Sequence, residues 1–573
     1  MSQRSRTKPE SEVLVVGAGP TGIVLASELQ RHGMDGRIID RLPQPSHTSK
    51  ALGIQARTLE LFEKMGVVES FLDKGVKLTA MNIYSNHRRI AQIRMRYVSS
   101  RYPFMLSLPQ WETETILNAH LKQQGIEVER GVALTALQPT ERGVDVVLEH
   151  ADGRREEAHT RWLIGCDGPH SMVRHLLGLN FEGWAFEQSF ALADVHLDCH
   201  LPVHQASFFW QEGGFIACIP LPQGQYRLII AYRPQTGPEG DVTLEELQHA
   251  LKKCGWTQVR VNDMVWSSRF HVNQRKVRHY RQGSVFLAGD ACHIHSPIAA
   301  RGMNTGIQDA FNLAWKLALV SRAQADPCVL ESYEAERERF GRQLLRETDL
   351  FSHLALLQGP LSSRLRDSII PLAASLKPVG KKIATRIAQV DVSYHGSPIV
   401  REYPSEHHLE TLSKLWGRST MYHAGERLPD LSVFLGNTPT RVHTLCRGTH
   451  HVLFFFSHRS NPECSLPAWR EMDTVLRREY SSLVDAFLLL PYRPLVPAES
   501  MSTHPLYDEN AVLYRACGIP DDGLVLVRPD GYIGFLCHPV SLERLWAYLE
   551  SIFVPSQTSS TSTATRSEVE SRR

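Results

Sequence analysis

The stretch VLVVGAGPTG at residues 13–22 decides the fold. An apolar, β-branched run, Glu12–Val16, reads as a buried strand and leads into glycines at 17, 19 and 22. Gly17 serves a tight turn, Gly19 admits the backbone to a pyrophosphate, and Gly22 lets the next helix lie close to the strand. That helix is Ile23–Gln30, with Ile23, Val24, Leu25, Ala26 and Leu29 in the pattern of a buried helix. A turn in RHGMDG and a second strand, Arg37–Asp40, complete a β–α–β unit. Asp40 ends that strand, 23 positions after Gly17, where a carboxylate accepts both hydroxyls of a ribose. The N–H groups that open the helix face the phosphates. Strand, glycines, helix and acid together predict a dinucleotide site; a structural glycine-rich turn is the competing reading.

Two later strand-to-helix junctions extend the pattern. LIGCDGPHSMVR, residues 163–174, carries Asp167, Gly168, Ser171 and Arg174; by itself it is equally an ordinary strand-end turn. VFLAGDACHIHSPIAARGMNTGIQDA, residues 285–310, places Asp290 at the end of a buried strand, and Gly302, Met303, Asn304 and Gly306 ahead of a helix over Gly306–Val320. A carboxylate there can bind the hydroxyls of a polyol chain, and the helix start can stabilise a developing anion. Asp290, Cys292, His293 and His295 also invite a metal reading. They crowd one strand-to-loop transition with no matching ligand pair elsewhere, so no metal is expected.

The rest of the chain of 573 residues suggests three or four domains. With 42% apolar and 22% charged residues it is neither disordered nor fibrous. Lys plus Arg number 63 against 61 for Asp plus Glu, and a net charge of +2 leaves no electrostatic footprint for nucleic acid. Ten cysteines without a C-x-x-C pair read as reduced thiols, and the expected location is cytoplasmic. No apolar run is long enough to span a bilayer, and MSQRSRTKPESE lacks the apolar core of a signal peptide. The Ser/Thr-rich end, PSQTSSTSTATRSEVESRR, reads as a flexible tail.

The expected division assigns 12–75, 106–180 and 281–345 to the nucleotide-binding domain, and 76–105 with 181–280 to a sheet-based second domain. Residues 346–420 form a helical connection, 421–555 a small α/β domain of thioredoxin-like type, and 1–11 and 556–573 disordered ends. Helices are expected at Gln55–Met65 (closed by Gly66), 111–124, 468–479 and 541–553, and a mostly helical 326–390 with breaks at Pro360 and Pro371. ASFFWQEGGFIACIPLPQGQYRLIIAY reads as two strands joined at PQGQ, and LVLVRPDGYIGFL as a hairpin around Pro529, Asp530 and Gly531.

The three motifs, in this order and separation, resemble the group A flavoprotein monooxygenases, with a p-hydroxybenzoate-hydroxylase-like fold. The branch they most resemble holds the phenol, pentachlorophenol, hydroxyphenylpropionate and polyketide aromatic hydroxylases, and the likeness runs from about residue 12 to residue 555. The resemblance implies an FAD-binding Rossmann-like domain of GR2 type, an inserted β-sheet substrate domain and a C-terminal thioredoxin-like domain. It implies FAD, with NAD(P)H and O2 as co-substrates, and hydroxylation of a phenolic or polycyclic aromatic through a flavin C4a-hydroperoxide. It further implies that Gly17, Gly19, Gly22 and Asp40, with Arg41 beside them, hold the ADP half of FAD. Arg57 and Gln110 would contact the cofactor, Asp167 would serve both FAD and NAD(P)H, and Asp290 would bind the ribityl chain. Gly302, Met303 and Asn304 would lie at the pyrimidine edge of the flavin, with Pro297 near its reactive face.

This chain departs from the family pattern in three places. A pliable glycine-rich loop is replaced by Pro297-Ile298-Ala299-Ala300-Arg301-Gly302, in which Arg301 either binds an acidic substrate or tunes the flavin, or points to solvent. The position that carries an acid in phenol hydroxylases is Leu52, so a protein base is not supplied there. The thioredoxin-like region lacks C-x-x-C, which argues against disulfide exchange. Phe208, Phe209, Trp210 and Tyr226 are candidate pocket walls, with core packing the competing reading. An epoxidase, a Baeyer–Villiger oxygenase or a dehydrogenase on the same scaffold, and an inactive FAD-fold protein, are the alternative functions. The C-terminal domain is expected to serve packing or a homodimer.

Overall fold

A computed structural model describes residues 10–45, 51–85, 88–211, 214–232, 240–253, 255–294, 301–355, 377–404, 421–493 and 505–554. Pro297, Ala299, Ala300, His295, the breaks at Pro360 and Pro371, and most of both expected disordered ends lie outside the described residues. By its internal contacts the chain forms two units, residues 1–314 with 333–392, and residues 315–332 with 393–573.

The first unit opens with β1 (Glu10–Val16), α1 (Pro20–Arg31), β2 (Gly36–Asp40), β3 (Gly53–Ile54) and α2 (Ala56–Met65). Then come α3 (Val68–Lys74), β4 (Val76–Leu78), β5 (Ala80–Ser85), β6 (Arg88–Arg94), β7 (Met105–Ser107) and α4 (Gln110–Gln123). The chain continues through β8 (Glu129–Arg130), β9 (Val132–Thr140), β10 (Gly143–His150), β11 (Arg155–Gly165) and α5 (Met172–Leu176). A β-rich stretch follows, with β12 (Glu182–Asp198), β13 (Gln205–Gln211), β14 (Gly214–Pro220), β15 (Gln225–Tyr232), α6 (Leu244–Lys253) and β16 (Arg260–Lys276). The return consists of β17 (Arg281–Gln282), β18 (Val285–Leu287), β19 (His293–Ile294), α7 (Gly302–Ser321), α8 (Glu331–Ala355) and α9 (Lys377–Ile387).

The first sheet runs β17-β18-β11-β1-β2-β8, and β9 and β10 form an antiparallel meander off β11. Its centre is parallel: Val15 lies between Ile164 of β11 and Ile38 of β2. These strands are continuous apolar runs because both faces are covered; Val13, Leu14, Ile38, Leu163 and Phe286 are all buried. The second sheet runs β19-β16-β12-β15-β14-β13-β5-β6, so strands from 80–94 and from 182–276 share one sheet, and β19 attaches it to the segment returning from the first. The region expected to hold two strands around PQGQ holds three, β13, β14 and β15. The expected first strand divides into β13 and β14, which pair antiparallel with Gln211 opposite Gly214.

α2 ends as expected at Gly66, whose φ of +82° is the left-handed cap that glycine adopts without strain. α7 starts at Gly302, four residues before the expected Gly306, because Gly306 sits inside the helix for close packing rather than ahead of it.

The second unit contains the end of α7 from Trp315, and β20 (Arg401–Tyr403), β21 (Ser432–Leu435), β22 (Thr438–Arg441), α10 (Val442–Leu445), β23 (His451–Phe456), α11 (Leu466–Glu479) and β24 (Val484–Leu490). It closes with β25 (Leu506–Tyr507), α12 (Val512–Ala516), β26 (Gly523–Val527), β27 (Ile533–Cys537) and α13 (Leu542–Ile552). β23 is central, parallel to β24 across α11 and antiparallel to β26, which turns into β27 at the expected Asp530–Gly531. Its core gathers Phe454, Phe456, Leu489, Val525 and Ile533. Among the described residues no helix is long and apolar enough to cross a membrane.

Candidate active site

The glycine loop is built by backbone crowding. Gly17 has φ +102°, and a Cβ on it would lie 2.5 Å from the carbonyl oxygen of Cys166 at the end of β11. A Cβ on Gly22 would lie 1.9 Å from the Gly17 carbonyl oxygen. Both positions therefore admit only glycine. Gly19 differs: it caps the start of α1, and a Cβ there would meet nothing within 4 Å. The helix begins with Pro20 at its first turn and takes no hydrogen bond from a capping side chain, which leaves its opening N–H groups for an anion. The space before Gly19 is the cradle that a pyrophosphate would fill.

Asp40 and Asp290 flank this loop. Asp40 Oδ2 accepts from Ala18 N–H at 2.7 Å and Oδ1 from Leu42 N–H at 2.8 Å, and Arg130 lies at 3.5 Å. Arg41, next in sequence, is exposed. On the other side Thr21 packs on Gly289 and Gly306, where a Cβ would lie 2.6 Å and 2.2 Å from the Thr21 hydroxyl oxygen. Asp290 follows Gly289, is exposed, and its Oδ1 lies 3.9 Å from the point where Gly302 would carry a Cβ. One loop, Gly17–Gly22, thus adjoins Asp40, the Gly289–Asp290 turn and α7.

The remaining expected contacts are spread around this centre. Asn304 is fully buried and serves as a clamp. Its Oδ1 accepts from Gln55 N–H at 2.9 Å and from the Thr58 hydroxyl at 2.7 Å, and its Nδ2 donates to the Gly53 carbonyl at 2.7 Å. It ties α7 to β3 and α2 with its side chain rather than offering that side chain to a ligand. Arg57 is buried, its guanidinium donates to Glu60 at 3.0 Å, and its backbone N–H donates to the Ala388 carbonyl at 3.2 Å. Gln110 opens α4, donates to Glu114 at 2.9 Å and accepts from Ala51 N–H at 3.2 Å. Arg301 donates to the Arg386 carbonyl at 3.4 Å, at the end of α9, and so is turned toward the protein rather than outward. Leu52 is buried.

Asp167 folds onto the start of α5. It accepts from the Ser171 hydroxyl at 2.5 Å and from the N–H groups of Met172 at 2.6 Å and Val173 at 3.2 Å. Burial pushes its carboxyl above the usual carboxylate range, against the pull of those donors. Ser171 is the cap of that helix, its hydroxyl accepting from Arg174 N–H at 3.0 Å, and Asp167 takes the two N–H groups before it.

The second sheet sorts the aromatic candidates by face. Phe209 and Tyr226 lie with Leu228 and Ile230 in the core beneath Leu247, Ala250 and Leu251 of α6. Phe209 stacks on Tyr84 at 4.7 Å and meets Trp256 edge-on at 3.8 Å. Phe208 and Trp210 alternate with Phe209 and point to the opposite face. The same alternation puts Phe190, Phe215, Asp194 and Arg227 on that face, since Asp194 pairs with Arg227 and Trp266 across the strands. Tyr226 was grouped with Phe208 and Trp210 in the sequence, and its odd–even position along β15 places it in the α6 core instead.

Several residues of the centre carry no expectation from the sequence. Thr305, Gln308, Asp309 and Asn312 join the expected Asn304 as buried residues of α7, a polar stripe at helical spacing in an otherwise apolar helix. That spacing was readable in GMNTGIQDAFNLAWKL. Gln55 and Thr58 carried no such signal, because their role depends on α7 lying across them.

A parallel sheet with a glycine-rich first turn, an acid after the second strand and a second acid at the α7 junction define a dinucleotide-binding oxidoreductase fold with a sheet packed beside it. Residues 10–348 match the FAD binding domain family. The 6-methylpretetramide 4-monooxygenase of Streptomyces rimosus is 31% identical over 532 residues, covering 91% of this chain and 90% of that protein. Pentachlorophenol 4-monooxygenase of Sphingobium chlorophenolicum is 31% identical, covering 91% of this chain and 93% of that protein. The solved anhydrotetracycline hydroxylase of Streptomyces rimosus superposes with a TM-score of 0.73 at 29% identity, covering 96% of this chain and all of that one. The chain belongs to the FAD binding domain family of flavin-dependent aromatic monooxygenases. It uses FAD, with NAD(P)H as the usual co-substrate of the class.

Proposed function

We propose that the protein hydroxylates a phenolic or polycyclic aromatic substrate, of the polyketide type that several relatives act on, beside an FAD held along the Gly17–Gly22 loop. The observation that carries the reading is the open space at Gly19, at an uncapped helix start with Asp40 on one side and Asp290 on the other. In this reading Ala18–Thr21 take the pyrophosphate, Asp40 the adenosine ribose with Arg41 at the rim, and Asp290 the ribityl hydroxyls. Gly302 and Met303 present the start of α7 to the flavin ring, where the partial positive end of the helix favours negative charge. Asn304 and Arg57 hold that helix start and α2 in place, Gln110 closes the α4 side, and Asp167 sets the α5 turn. Bound FAD, reduced by NAD(P)H, supplies the oxygen-activating chemistry; the chain's part is to place the ring and keep water away.

The second sheet is read as the substrate domain, with Phe208 and Trp210 on its substrate side and Pro297 and Arg301 at the flavin. The strand–helix–strand, hairpin and helix of β23 to α13 support a thioredoxin-like domain without C-x-x-C, serving packing or a homodimer. The protein is read as acting in the cytoplasm.

The deciding experiment is Gly19→Ala. The apoprotein should melt within about 2 °C of the wild type because the new methyl meets open space, while FAD affinity falls at least about a hundredfold. Retained FAD affinity would remove the pyrophosphate from this loop. Wild-type holoenzyme, challenged with a panel of phenols and polycyclic aromatics, should show NADPH-dependent bleaching of the flavin that one member of the panel accelerates. Acceleration by an aliphatic ketone alone would redirect the reading to Baeyer–Villiger oxygenation.

A further inference from the structure

We propose that Asp309 is a positioning residue that fixes the cofactor turn at Gly289–Asp290 against the second sheet. Asp309 lies two turns into α7 and is fully buried. Its Oδ2 accepts both from Gly289 N–H at 3.0 Å and from His293 Nε2 at 2.7 Å. Its Oδ1 accepts from Arg337 Nε of α8 at 2.6 Å, and Arg337 also donates to the Thr305 carbonyl at 3.1 Å. Gly289 ends the strand run of the first sheet with φ +63° and immediately precedes Asp290. His293 belongs to β19, which pairs with Lys276 of β16 in the second sheet. One carboxylate oxygen therefore joins the turn carrying the ribityl acid to the edge strand of the other sheet.

The arrangement is costly unless it is complete. A carboxylate taken out of water loses several kcal/mol of hydration, and only a cation with well-aligned donors restores it. Arg337, His293 and Gly289 supply these, so Asp309 is fixed in one geometry, and Gly289 with it. The donor atoms of Cys292, His293 and Asp309 lie within 4.8 Å of one another, a spacing open to a metal ion. Arg337 already occupies Oδ1, and a divalent cation would have to sit against that buried guanidinium, so the cluster is hydrogen-bonded rather than metal-binding.

The inference rests on the reading that Asp290 holds FAD, and the experiment separates the two. Apoprotein is titrated with FAD, following the quenching of flavin fluorescence, for Asp309→Asn, His293→Leu, His293→Gln and Asp290→Ala. His293→Leu removes a donor from Asp309 and should weaken FAD by about tenfold or more, whereas His293→Gln, which keeps an N–H, should stay within about threefold of the wild type. The visible flavin spectrum of the loaded His293→Leu protein should also shift, because the ring sits in a displaced environment. Asp309→Asn should weaken FAD further still; if it does not fold, the His293 pair decides. Lower melting temperatures with unchanged FAD affinity and spectrum in His293→Leu would make the cluster purely structural and overturn the proposal, whatever Asp290→Ala does. Unchanged FAD affinity in Asp290→Ala would instead remove Asp290 from the cofactor site.

Discussion

The two sheets of the amino-terminal unit are specified by different means. Around the first, the decisive contacts crowd the glycine backbone: Gly17 against Cys166 and Gly22 against Gly17 through backbone atoms, and Gly289 and Gly306 against the Thr21 side chain. In the second, crowding of that kind appears at Gly183 of β12, where a Cβ would lie 1.9 Å from the Gln274 carbonyl oxygen of β16; along β13 to β15 the deciding variable is which face a side chain takes, with Phe209 and Tyr226 under α6 and Phe208 and Arg227 opposite. Backbone crowding leaves no room for exchange, whereas face selection tolerates any residue of suitable size. The difference teaches where this protein can vary: the glycine loop is fixed atom by atom, and β13 to β15 can be redecorated.

The sharpest way to break that contrast is Gly22→Ala. The added carbon would overlap the Gly17 carbonyl oxygen, a backbone atom that cannot step aside. We expect a loss of more than about 3 kcal/mol and no FAD-loaded protein, read by thermal melting and flavin absorbance. A stable, yellow Gly22→Ala protein would show that the loop is looser than its backbone contacts imply.

The same contrast explains what the sequence made legible. Glycine at a forced position is a strong signal, so the β1–α1–β2 unit, Asp40 and the Asp290 junction could be read directly. α7 began earlier than expected because Gly306 was taken for a helix start, whereas it is a packing glycine inside the helix. Whether Phe209 and Tyr226 share a face with Phe208 and Trp210 is not legible in the sequence, because it depends on register, which for Tyr226 is set by Val195 of β12 and Pro220 of β14 from outside the strand. Asp309 was overlooked because a lone acid in a helix reads as a solvated residue until α8 delivers Arg337 to it.

The second sheet has one place where side-chain exchange should be as costly as backbone crowding. Arg227 is fully buried and pairs with Asp194 through Nε–Oδ1 and Nη2–Oδ2 contacts, both 2.7 Å. Asp194→Ala leaves that guanidinium without its counter-charge and should cost about 3–5 kcal/mol in urea denaturation. Replacing both partners with apolar residues, Asp194→Leu with Arg227→Met, should recover most of the loss. A loss below about 1 kcal/mol in the single variant would mean that the pair is dispensable to the sheet.

A smaller effect is expected from acid. Burial alone would raise the Asp309 carboxyl, but Arg337 and then His293 outweigh it and hold it at about 2, below the ordinary 3.8. A depressed carboxyl contributes stability that is fully present above its unfolded value and is lost as pH falls through its folded one. The contribution, about 2 kcal/mol, should therefore disappear between about pH 4 and about pH 2. The gap in urea midpoint between the wild type and Asp309→Asn should shrink across that window and stay constant above it. A gap that persists unchanged to the acid limit would mean that Asp309 is not held ionised by its partners.

The finest test concerns the two faces of the second sheet themselves. Tyr226 is buried in the α6 core, and burial, with Cys199 beside it, raises its phenol well above the ordinary range. Tyr226→Phe removes one buried hydroxyl and keeps the ring, so it should cost about 1 kcal/mol of stability and leave the response of flavin reduction to an aromatic effector unaltered. Phe208→Leu should do the reverse: less than about 1.5 kcal/mol in stability, and a several-fold rise in the effector concentration needed for half-maximal reduction. The two measurements use the same proteins and the same flavin signal, so a shared folding defect cannot imitate the pattern. If Tyr226→Phe shifts the effector response while Phe208→Leu does not, the substrate faces the α6 side, and the assignment of faces is inverted.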